Sequence, residues 1–326
     1  ALSTMLRSEL GVRDPDVTLG GSTDVSTITE AIRWAATIGL RLWSGRRIRD
    51  EIFGGRRGIC VVHGDTPSTL LSAAMAWRAG LRVAHMEAGL RSNSLLHPFP
   101  EELIRIIVMR LADVTFAPTP DAVSNLESIR RRGRIIPLEG NTSIEAVAYA
   151  LDRAAEAPTG PAIVTMHRVE NLSSRERVGQ FVDTVTKLAG DMPVKAVLHE
   201  PTRIALERFG LLSRLEERVE TTPLSGHTEF LQDLLHAPLV IIDGGSIQEE
   251  CSYLGVPTLL WREKTERLHG LGSNIVLSEF DQRIINDFLS RYEEFRRPPS
   301  LPATRPSEQI LEVLLAELSG QASVDS

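Results

Sequence analysis

The chain has 326 residues, of which 42% are hydrophobic and 24% are charged, and its formal net charge at pH 7 is −7. This composition is ordinary for a water-soluble globular protein, and the acidic balance argues against nucleic acid as the main partner. The apolar stretches are shorter than the roughly 20 residues that a membrane helix needs, and the first residues lack the layout of a signal peptide. We therefore expect a cytoplasmic protein with no membrane partner.

Length and cysteine content indicate the number of domains and the state of the thiols. A chain of 326 residues exceeds the size of one ordinary hydrophobic core, so two domains are expected. The two cysteines, Cys60 and Cys251, fall in a predicted strand and a predicted helix. We expect them to be reduced thiols, which argues against disulfides and against a cysteine metal site.

Apolar runs and helical patterns alternate through the first half of the chain. After a helical stretch from about residue 28 to 53, the pattern predicts strands at 58–63, 82–86, 113–116 and 134–138, with helices at 66–79, 100–112, 120–131 and 142–155. Such βα units predict a parallel sheet. A doubly wound sheet normally opens with a strand, and none precedes the first helical stretch. We therefore expect that the first strand of this domain is missing.

The second half repeats the alternation after a break of small residues and prolines at 154–161. Strands are predicted at 162–166, 194–199, 217–220, 238–242 and 256–261, with helices at 173–189, 201–208, 227–236 and 246–254. We predict two doubly wound Rossmann-like domains facing a cleft, at residues 1–155 and 160–300. An amphipathic helix at 304–318 should pack back on the first domain, and a frayed tail should follow from Gln321.

Three acids of the first domain lie at element ends. Asp65 and Glu87 follow predicted strands, and Glu101 opens a predicted helix. Because parallel strands end at one edge of a sheet, we expect these carboxyls to converge, raise one another's pKa values and suit acid–base chemistry on a sugar. The alternative makes Asp65 a helix cap, Glu101 a partner of the helix dipole and Glu87 a salt-bridge partner of Arg91.

A glycine turn in the second domain predicts a phosphate site. Asp243-Gly244-Gly245-Ser246 lies between an apolar strand and a helix, where glycines let backbone N–H groups approach a phosphate closely. Glu250, one turn further, is predicted to bind a ribose diol. The alternatives are a tight turn with no ligand and an acid that only favours the helix start.

Cationic groups follow two other strands of this domain. His167 and Arg168 end the strand at 162–166 and are predicted to meet phosphates or a sugar hydroxyl, although a lone histidine is more often structural. The loop after the strand at 256–261 is predicted to clamp an anion, with surface salt bridges as the alternative. The loop residues predicted to bind are Arg262, Thr265, Glu266 and Arg267.

Seven motifs in chain order resemble those of the bacterial non-hydrolysing UDP-N-acetylglucosamine 2-epimerases. They are HGDT at 63–66, EAGLR at 87–91, PEE at 100–102 with Arg105, GNT at 140–142, HRVEN at 167–171, QEE at 248–250 and TER at 265–267. The resemblance spans roughly residues 7 to 318. Two departures stand out: the family's GTRPE-like first loop is absent, and DGGS stands where many members have DSGG.

The resemblance implies a glycosyltransferase-B type fold, a homodimer, and no metal or other cofactor. It implies reversible epimerisation at C2 of UDP-N-acetylglucosamine, or of a close derivative, by elimination of UDP to a 2-acetamidoglucal and re-addition. In this sequence it implies acid–base or diphosphate-side catalytic roles for Asp65, Glu87, Glu101, Arg105 and His167. Substrate-binding roles fall on Arg91, the Asp243-Gly244-Gly245-Ser246 turn, Glu250, Arg262, Thr265, Glu266 and Arg267.

Three other functions stay open. A hydrolysing 2-epimerase would release UDP and N-acetylmannosamine, and a UDP-sugar glycosyltransferase would use the same fold with an acceptor. A non-catalytic UDP-sugar binding protein is the third. Within the epimerase interpretation, a sugar altered at C3 or C6 remains a possible substrate.

Overall fold

The computed structural model describes residues 12–19, 44–91, 101–129, 133–152, 160–265 and 267–322. Within these ranges the chain divides into two compact units. Arg13–Thr142 with Thr304–Ser326 forms the N-terminal unit, and Ser143–Ala303 forms the C-terminal unit. The helical stretch predicted from residue 28 is described only from residue 44, and the segment where a first strand is expected lies mostly outside the described ranges.

The N-terminal unit contains a parallel sheet whose four strands follow chain order. The strands are β1 (Ile59–His63), β2 (Arg82–Met86), β3 (Val114–Ala117) and β4 (Arg134–Pro137), and the helices are α1 (Gly45–Ile52), α2 (Pro67–Ala79), α3 (Glu101–Leu111) and α4 (Pro120–Ser128). The four residues of β3 are all buried. A strand buried on both faces reads as a continuous apolar run, which is why the sequence indicates it clearly.

The C-terminal unit contains a six-stranded parallel sheet. Its strands are β5 (Ala162–Val164), β6 (Val194–Leu198), β7 (Glu220–Pro223), β8 (Val240–Ile242), β9 (Thr258–Leu260) and β10 (Ile275–Leu277), in the order β10-β9-β8-β5-β6-β7. Its helices are α5 (Ser143–Leu151), α6 (Val169–Leu172), α7 (Arg175–Leu188), α8 (Glu200–Phe209), α9 (Leu212–Glu216), α10 (His227–His236), α11 (Gly245–Leu254) and α12 (Gln282–Ser290). The sequence patterns did not predict β10 or α12. The chain winds to one side through β6 and β7 and to the other through β8 to β10, so the switch point lies between β5 and β8.

Helix α5 belongs to the C-terminal unit, which corrects the expectation that it is part of the first domain. Val147 and Ala150 of α5 pack in one buried cluster with Phe230 of α10 and Cys251 of α11. An amphipathic pattern indicates that a helix has a buried face but not which sheet that face meets. The division between the units therefore falls between Thr142 and Ser143, before this helix.

The last helix, α13 (Pro306–Ala322), returns the chain to the N-terminal unit. Ile310 packs in a cluster with Phe116 of β3. Glu317 forms ion pairs with Arg82 and Arg134, and the Arg82 guanidinium is the main cause of the lowered pKa of this carboxyl. The helix runs past the predicted start of the frayed tail, and residues 323–326 lie outside the described ranges.

None of the helices in the described part of the chain combines the length and the apolar character that crossing a bilayer requires.

Candidate active site

Asp65 and Glu87 leave the sheet of the N-terminal unit at the same edge and at the same level. Asp65 follows β1 and Glu87 follows β2. The two strands pair in parallel, with His63 opposite Met86. Neighbouring parallel strands that end together present their following loops side by side. The expected proximity of these two acids therefore follows from the register.

The turn that carries Glu87 has an unusual backbone. Glu87 has a φ of 58°, which places a non-glycine residue in the left-handed region. Such a residue costs about 1–3 kcal/mol and persists only where its surroundings enforce it. Two residues later the same turn passes close to α4, because a Cβ at Gly89 would lie 2.2 Å from the carbonyl oxygen of Ala122. The turn that carries Glu87 is therefore closely packed against its neighbours.

The Glu87 carboxylate has polar neighbours on both oxygens. Asn141 donates a 2.9 Å hydrogen bond from Nδ2 to Oε1. His63 Nε2 lies 3.8 Å from Oε2. The Glu87 side chain keeps 17% of its exposure, so it remains accessible to a ligand. Asn141 belongs to the GNT motif, but no pattern in the sequence assigns it this contact.

Asp65 belongs to a network of ion pairs that includes two arginines. Asp65 pairs with Arg105, and Arg105 Nη1 lies 3.6 Å from Oε2 of Glu102. Glu102 is completely buried and also pairs with Arg91. A buried carboxylate is tolerated when it is paired in this way. Arg91 is thus a partner of Glu102, not of Glu87 as one alternative supposes, and the side chains of Arg91 and Asp65 are 17% and 24% exposed.

Glu101 is the first residue of α3 and lies one turn before Arg105. Its Oε2 atom is buried and has no hydrogen-bond partner among the described residues. Burying a polar atom without a partner costs free energy, so this oxygen has an unmet capacity for a ligand hydroxyl. No ion pair among the described residues joins Glu101 to the Asp65–Arg105 pair.

A buried histidine lies just behind these turns. His85 on β2 is 1% exposed, and its Nε2 lies 2.8 Å from the carbonyl oxygen of Gly64. Burial is the main cause that lowers the pKa of His85, to about 4. The imidazole is therefore neutral at physiological pH, with its proton on Nε2, where the carbonyl can accept it.

The lowered pKa of His85 makes the stability of the protein depend on pH. The unfolded chain takes up a proton near the ordinary value of 6.5, whereas the folded state does so only near 4. The folded state is therefore most stable relative to the unfolded chain above pH 6.5, and this advantage is lost as the pH falls toward 4. When the pH is lowered from about 7 to about 5, we expect His85 to lower the free energy of unfolding by about 2 kcal/mol. Urea denaturation at the two pH values measures it, and His85→Gln should lose that much less than the wild type; equal losses would contradict the assignment.

In the C-terminal unit, the candidate residues meet at the switch point of the sheet. His167 and Arg168 follow β5, and Asp243 and Gly244 follow β8. Open parallel sheets bind ligands outside the carboxyl ends of their strands at such a point, where the following loops diverge.

Asp243 is a fully buried anchor for the loop after β5. Its carboxylate accepts hydrogen bonds from the backbone N–H of His167 at 3.0 Å, from that of Arg168 at 2.9 Å, and from Nδ2 of Asn171 at 2.9 Å. His167 Nδ1 lies 3.2 Å from Oδ1 of Asp243. Asp243 has no exposed surface and its carboxylate is bonded to the loop after β5, so it is not accessible to a ligand, contrary to the expectation of a direct contact.

The N-terminus of α11 lies beside the side chains of His167 and Arg267. Gly244 is its N-cap and supplies no side-chain hydrogen bond, so the first amides of the helix remain available to an anion. A Cβ at Gly244 would lie 2.8 Å from Cε1 of His167, and one at Gly245 would lie 2.9 Å from Nε of Arg267. The two glycines thus let His167 and Arg267 approach the helix end. The proximity of His167 is also a reason for glycine where many family members have serine.

The loop after β9 is fixed to α11 by polar contacts. Arg267 forms an ion pair with the buried Glu249, and Thr265 Oγ1 lies 3.1 Å from Oε1 of Gln248. Arg262 Nη1 lies at the limit of hydrogen bonding from Thr265, at 3.5 Å. Of the other predicted binding residues, Ser246 is exposed on the first turn of α11, and Glu266 lies outside the described residues.

Two histidines without a predicted role lie in this region. His227, the first residue of α10, places Nε2 2.8 Å from Oε1 of Glu250, which is 4% exposed. The ring of His199 stacks on that of His167, with centroids 4.8 Å apart. Burial is the main cause of the lowered pKa of His199. Neither histidine has a sequence signal, because each contact joins elements distant in the chain.

Among the described residues no group of three or more histidine, cysteine, aspartate and glutamate side chains could hold a metal ion.

Two Rossmann-like units with parallel sheets define an α/β fold of the glycosyltransferase-B type. Residues 2–307 match the family model described as UDP-N-acetylglucosamine 2-epimerase. The chain belongs to this family.

Relatives with known names agree with the family. The chain is 32% identical over 249 residues to a UDP-2,3-diacetamido-2,3-dideoxy-D-glucuronate 2-epimerase from Pseudomonas aeruginosa, which covers 73% of this chain and 68% of the relative. It is 30% identical over 245 residues to the UDP-N-acetylglucosamine 2-epimerase of Methanocaldococcus jannaschii, which covers 70% of this chain and 66% of the relative. The matched segments thus span about two thirds of these relatives.

Solved structures show the same fold. A UDP-GlcNAc 2-epimerase from Neisseria meningitidis bound to UDP-GlcNAc superposes with a TM-score of 0.79 at 23% identity, over 97% of this chain and 89% of that one. The Methanocaldococcus jannaschii enzyme in complex with UDP-GlcNAc and UDP gives a TM-score of 0.75 at 24% identity, over 96% and 88% of the two chains.

Proposed function

We propose that this chain is an isomerase that interconverts UDP-N-acetylglucosamine and UDP-N-acetylmannosamine, or close derivatives of them, by epimerisation at C2. The observation that carries the proposal is the pair of accessible carboxylates, Asp65 and Glu87, held at one sheet edge of a chain of this family. Acid–base chemistry at a single carbon needs two proton-transfer groups held in place, and this edge supplies them.

The proposed reaction is an elimination followed by its reverse. One carboxylate removes the C2 proton while the C1–O bond to the diphosphate breaks, which leaves a C1=C2 double bond in the sugar and free UDP in the site. The other carboxyl then delivers a proton to the opposite face of C2 as the diphosphate oxygen bonds to C1 again. Because the C2 proton is weakly acidic, stabilising the departing diphosphate is the step the protein must help most.

We assign UDP binding to the C-terminal unit. The first amides of α11 and the Arg267 guanidinium are assigned to the diphosphate charge, and His167 is assigned to it as a hydrogen-bonding group. Glu250 is assigned to the ribose diol, with His227 holding its carboxylate in position. Arg105 and Glu101 complete the set of groups assigned to the sugar and to the departing oxygen.

Incubation with UDP-N-acetylglucosamine in heavy water, followed by proton NMR, tests the function. We expect deuterium at C2 of both epimers while UDP stays attached to the sugar. Stoichiometric free UDP with N-acetylmannosamine would instead support a hydrolysing epimerase, and sugar transfer to an added acceptor would support a glycosyltransferase. Thermal stabilisation by the nucleotide sugar without exchange at C2 would leave only a binding protein.

Glu250→Gln should weaken UDP binding by about tenfold, because one charge-assisted hydrogen bond to the ribose becomes neutral. Calorimetric titration with UDP measures the affinity. Glu229→Gln makes the same chemical change at an exposed position in the first turn of α10 and should leave the affinity unchanged. Equal affinities for the two variants would remove Glu250 from the nucleotide site.

A UDP-sugar altered at C3 and C6 is a second candidate substrate. The relative from Pseudomonas aeruginosa, named for a 2,3-diacetamido glucuronate, is the observation that favours it. Comparison of kcat/KM for the two UDP-sugars decides between them, because the preferred substrate has the larger value.

We also infer a cytoplasmic homodimer. The free thiols of Cys60 and Cys251 fit a reducing compartment, and the dimer follows from the family resemblance alone. Sedimentation velocity and cell fractionation test the two parts.

A further inference from the structure

His85 is a buried titratable side chain to which the proposed reaction gives no task. It lies on β2 two residues before Glu87, and its Nε2 contacts the carbonyl oxygen of Gly64, the residue just before Asp65, at 2.8 Å. One imidazole thus joins the strand that leads to one carboxylate to the turn that carries the other.

The Gly64 peptide is held from both sides. Its N–H donates to the carbonyl oxygen of Met86 at 3.3 Å, and its own carbonyl accepts from His85. Gly64 adopts a φ of 69°, a left-handed conformation that glycine takes without strain. A Cβ at Gly64 would lie 3.9 Å from Oε2 of Glu87, so this turn is in contact with both carboxylate loops.

The His85 ring fixes the Gly64 carbonyl while remaining uncharged. Its Nδ1 atom is buried and has no hydrogen-bond partner in the described part of the chain. The titratable groups that act electrostatically on it are His63, Glu87 and Asp65. An uncharged ring forms no competing ion pair with these acids, and burial keeps the pKa of His85 far below physiological pH.

We propose that His85 is a positioning residue for the C2 epimerisation: by clamping the Gly64 carbonyl, it sets the separation of the Asp65 and Glu87 carboxyls. The inference rests on the proposed function. Two proton-transfer groups that act on opposite faces of one carbon must be spaced closely, and a displacement of about 1 Å costs up to about a hundredfold in rate.

Two variants with an amide side chain at position 85 differ in length but not in polarity. The Nε2 atom of glutamine is as many bonds from Cα as Nε2 of histidine, so His85→Gln keeps a donor for Gly64. The asparagine amide is one bond shorter and lacks that reach. Thr115→Val is the matched control for stability, since it removes a buried hydrogen bond of 3.1 Å from Thr115 Oγ1 to the carbonyl oxygen of Arg134, elsewhere in the same sheet.

Two readouts are compared across the variants. In His85→Asn, kcat for epimerisation should fall by about thirtyfold to a hundredfold with UDP affinity within about threefold, whereas His85→Gln should retain kcat within about threefold. Amide hydrogen exchange of the peptide spanning residues 60–70 should accelerate at least about tenfold in His85→Asn but not in His85→Gln. Thr115→Val should leave both readouts unchanged.

These measurements decide whether His85 is a positioning residue. Equal kcat in the asparagine and glutamine variants, or a loss of kcat in Thr115→Val as large as that in His85→Asn, would show that His85 only stabilises the core. If the wild type shows no exchange at C2, the proposed function fails, and the amide exchange alone decides whether His85 clamps the turn. Unchanged exchange in His85→Asn would then overturn the clamp.

Discussion

Asp65→Asn is expected to lower kcat by about a thousandfold, because asparagine keeps the shape of the side chain but neither accepts nor delivers a proton in the reaction. UDP affinity should stay within about threefold, since the groups assigned to the nucleotide lie in the C-terminal unit. Steady-state kinetics of epimerisation and calorimetry with UDP measure the two quantities.

The control for this variant is Asp121→Asn. Asp121 is an exposed acid in the first turn of α4 of the same unit and undergoes the same chemical change. Its kcat should equal that of the wild type. Turnover of Asp65→Asn within about tenfold of the wild type would remove Asp65 from the proton-transfer steps.

Asp243→Asn is expected to destabilise the C-terminal unit by about 3 kcal/mol and to weaken UDP binding by at least about tenfold. The buried carboxylate accepts hydrogen bonds from two backbone amides and from Asn171. The side-chain NH2 group of an asparagine would face some of these N–H groups, so those hydrogen bonds would be lost. The loop that carries His167 would lose its anchor. Urea denaturation and calorimetric titration with UDP measure the two losses.

The matched control is Asp233→Asn, which breaks a partly exposed ion pair with Lys195 at 2.7 Å in the same unit. We expect it to cost no more than about 1 kcal/mol and to leave UDP binding unchanged. Equal destabilisation by the two variants would mean that Asp243 is not the anchor of the loop.

The strands were predictable where burial on both faces gives the sequence a continuous apolar run. All nine strands predicted from the sequence are present, each with bounds within about three residues of the prediction. The three residues of β10 are too short for such a run to be distinctive, and this strand was missed. The unit against which α5 packs could not be predicted either, because an apolar helix face shows that the helix is buried but not which elements cover it.

Within the site, strand ends were predictable and supporting contacts were not. The position of Asp65 and Glu87 at a sheet edge was predictable, because each follows the end of a buried strand, and their catalytic role stays a prediction. Glu102, His85 and His227 were missed because their importance comes from contacts with residues 11 to 23 positions away in the chain. No local spacing encodes such contacts in a single sequence.

Replacement of the bridging oxygen between C1 and the β-phosphorus of UDP-N-acetylglucosamine by ¹⁸O tests the elimination most directly. If UDP departs and returns, the freed terminal phosphate rotates, and recovered substrate should carry part of the label in non-bridging β-phosphate positions, as ³¹P NMR detects. Label that stays entirely in the bridge over many interconversions of the two epimers would contradict the account, because a departed UDP would then have to return through the same oxygen every time.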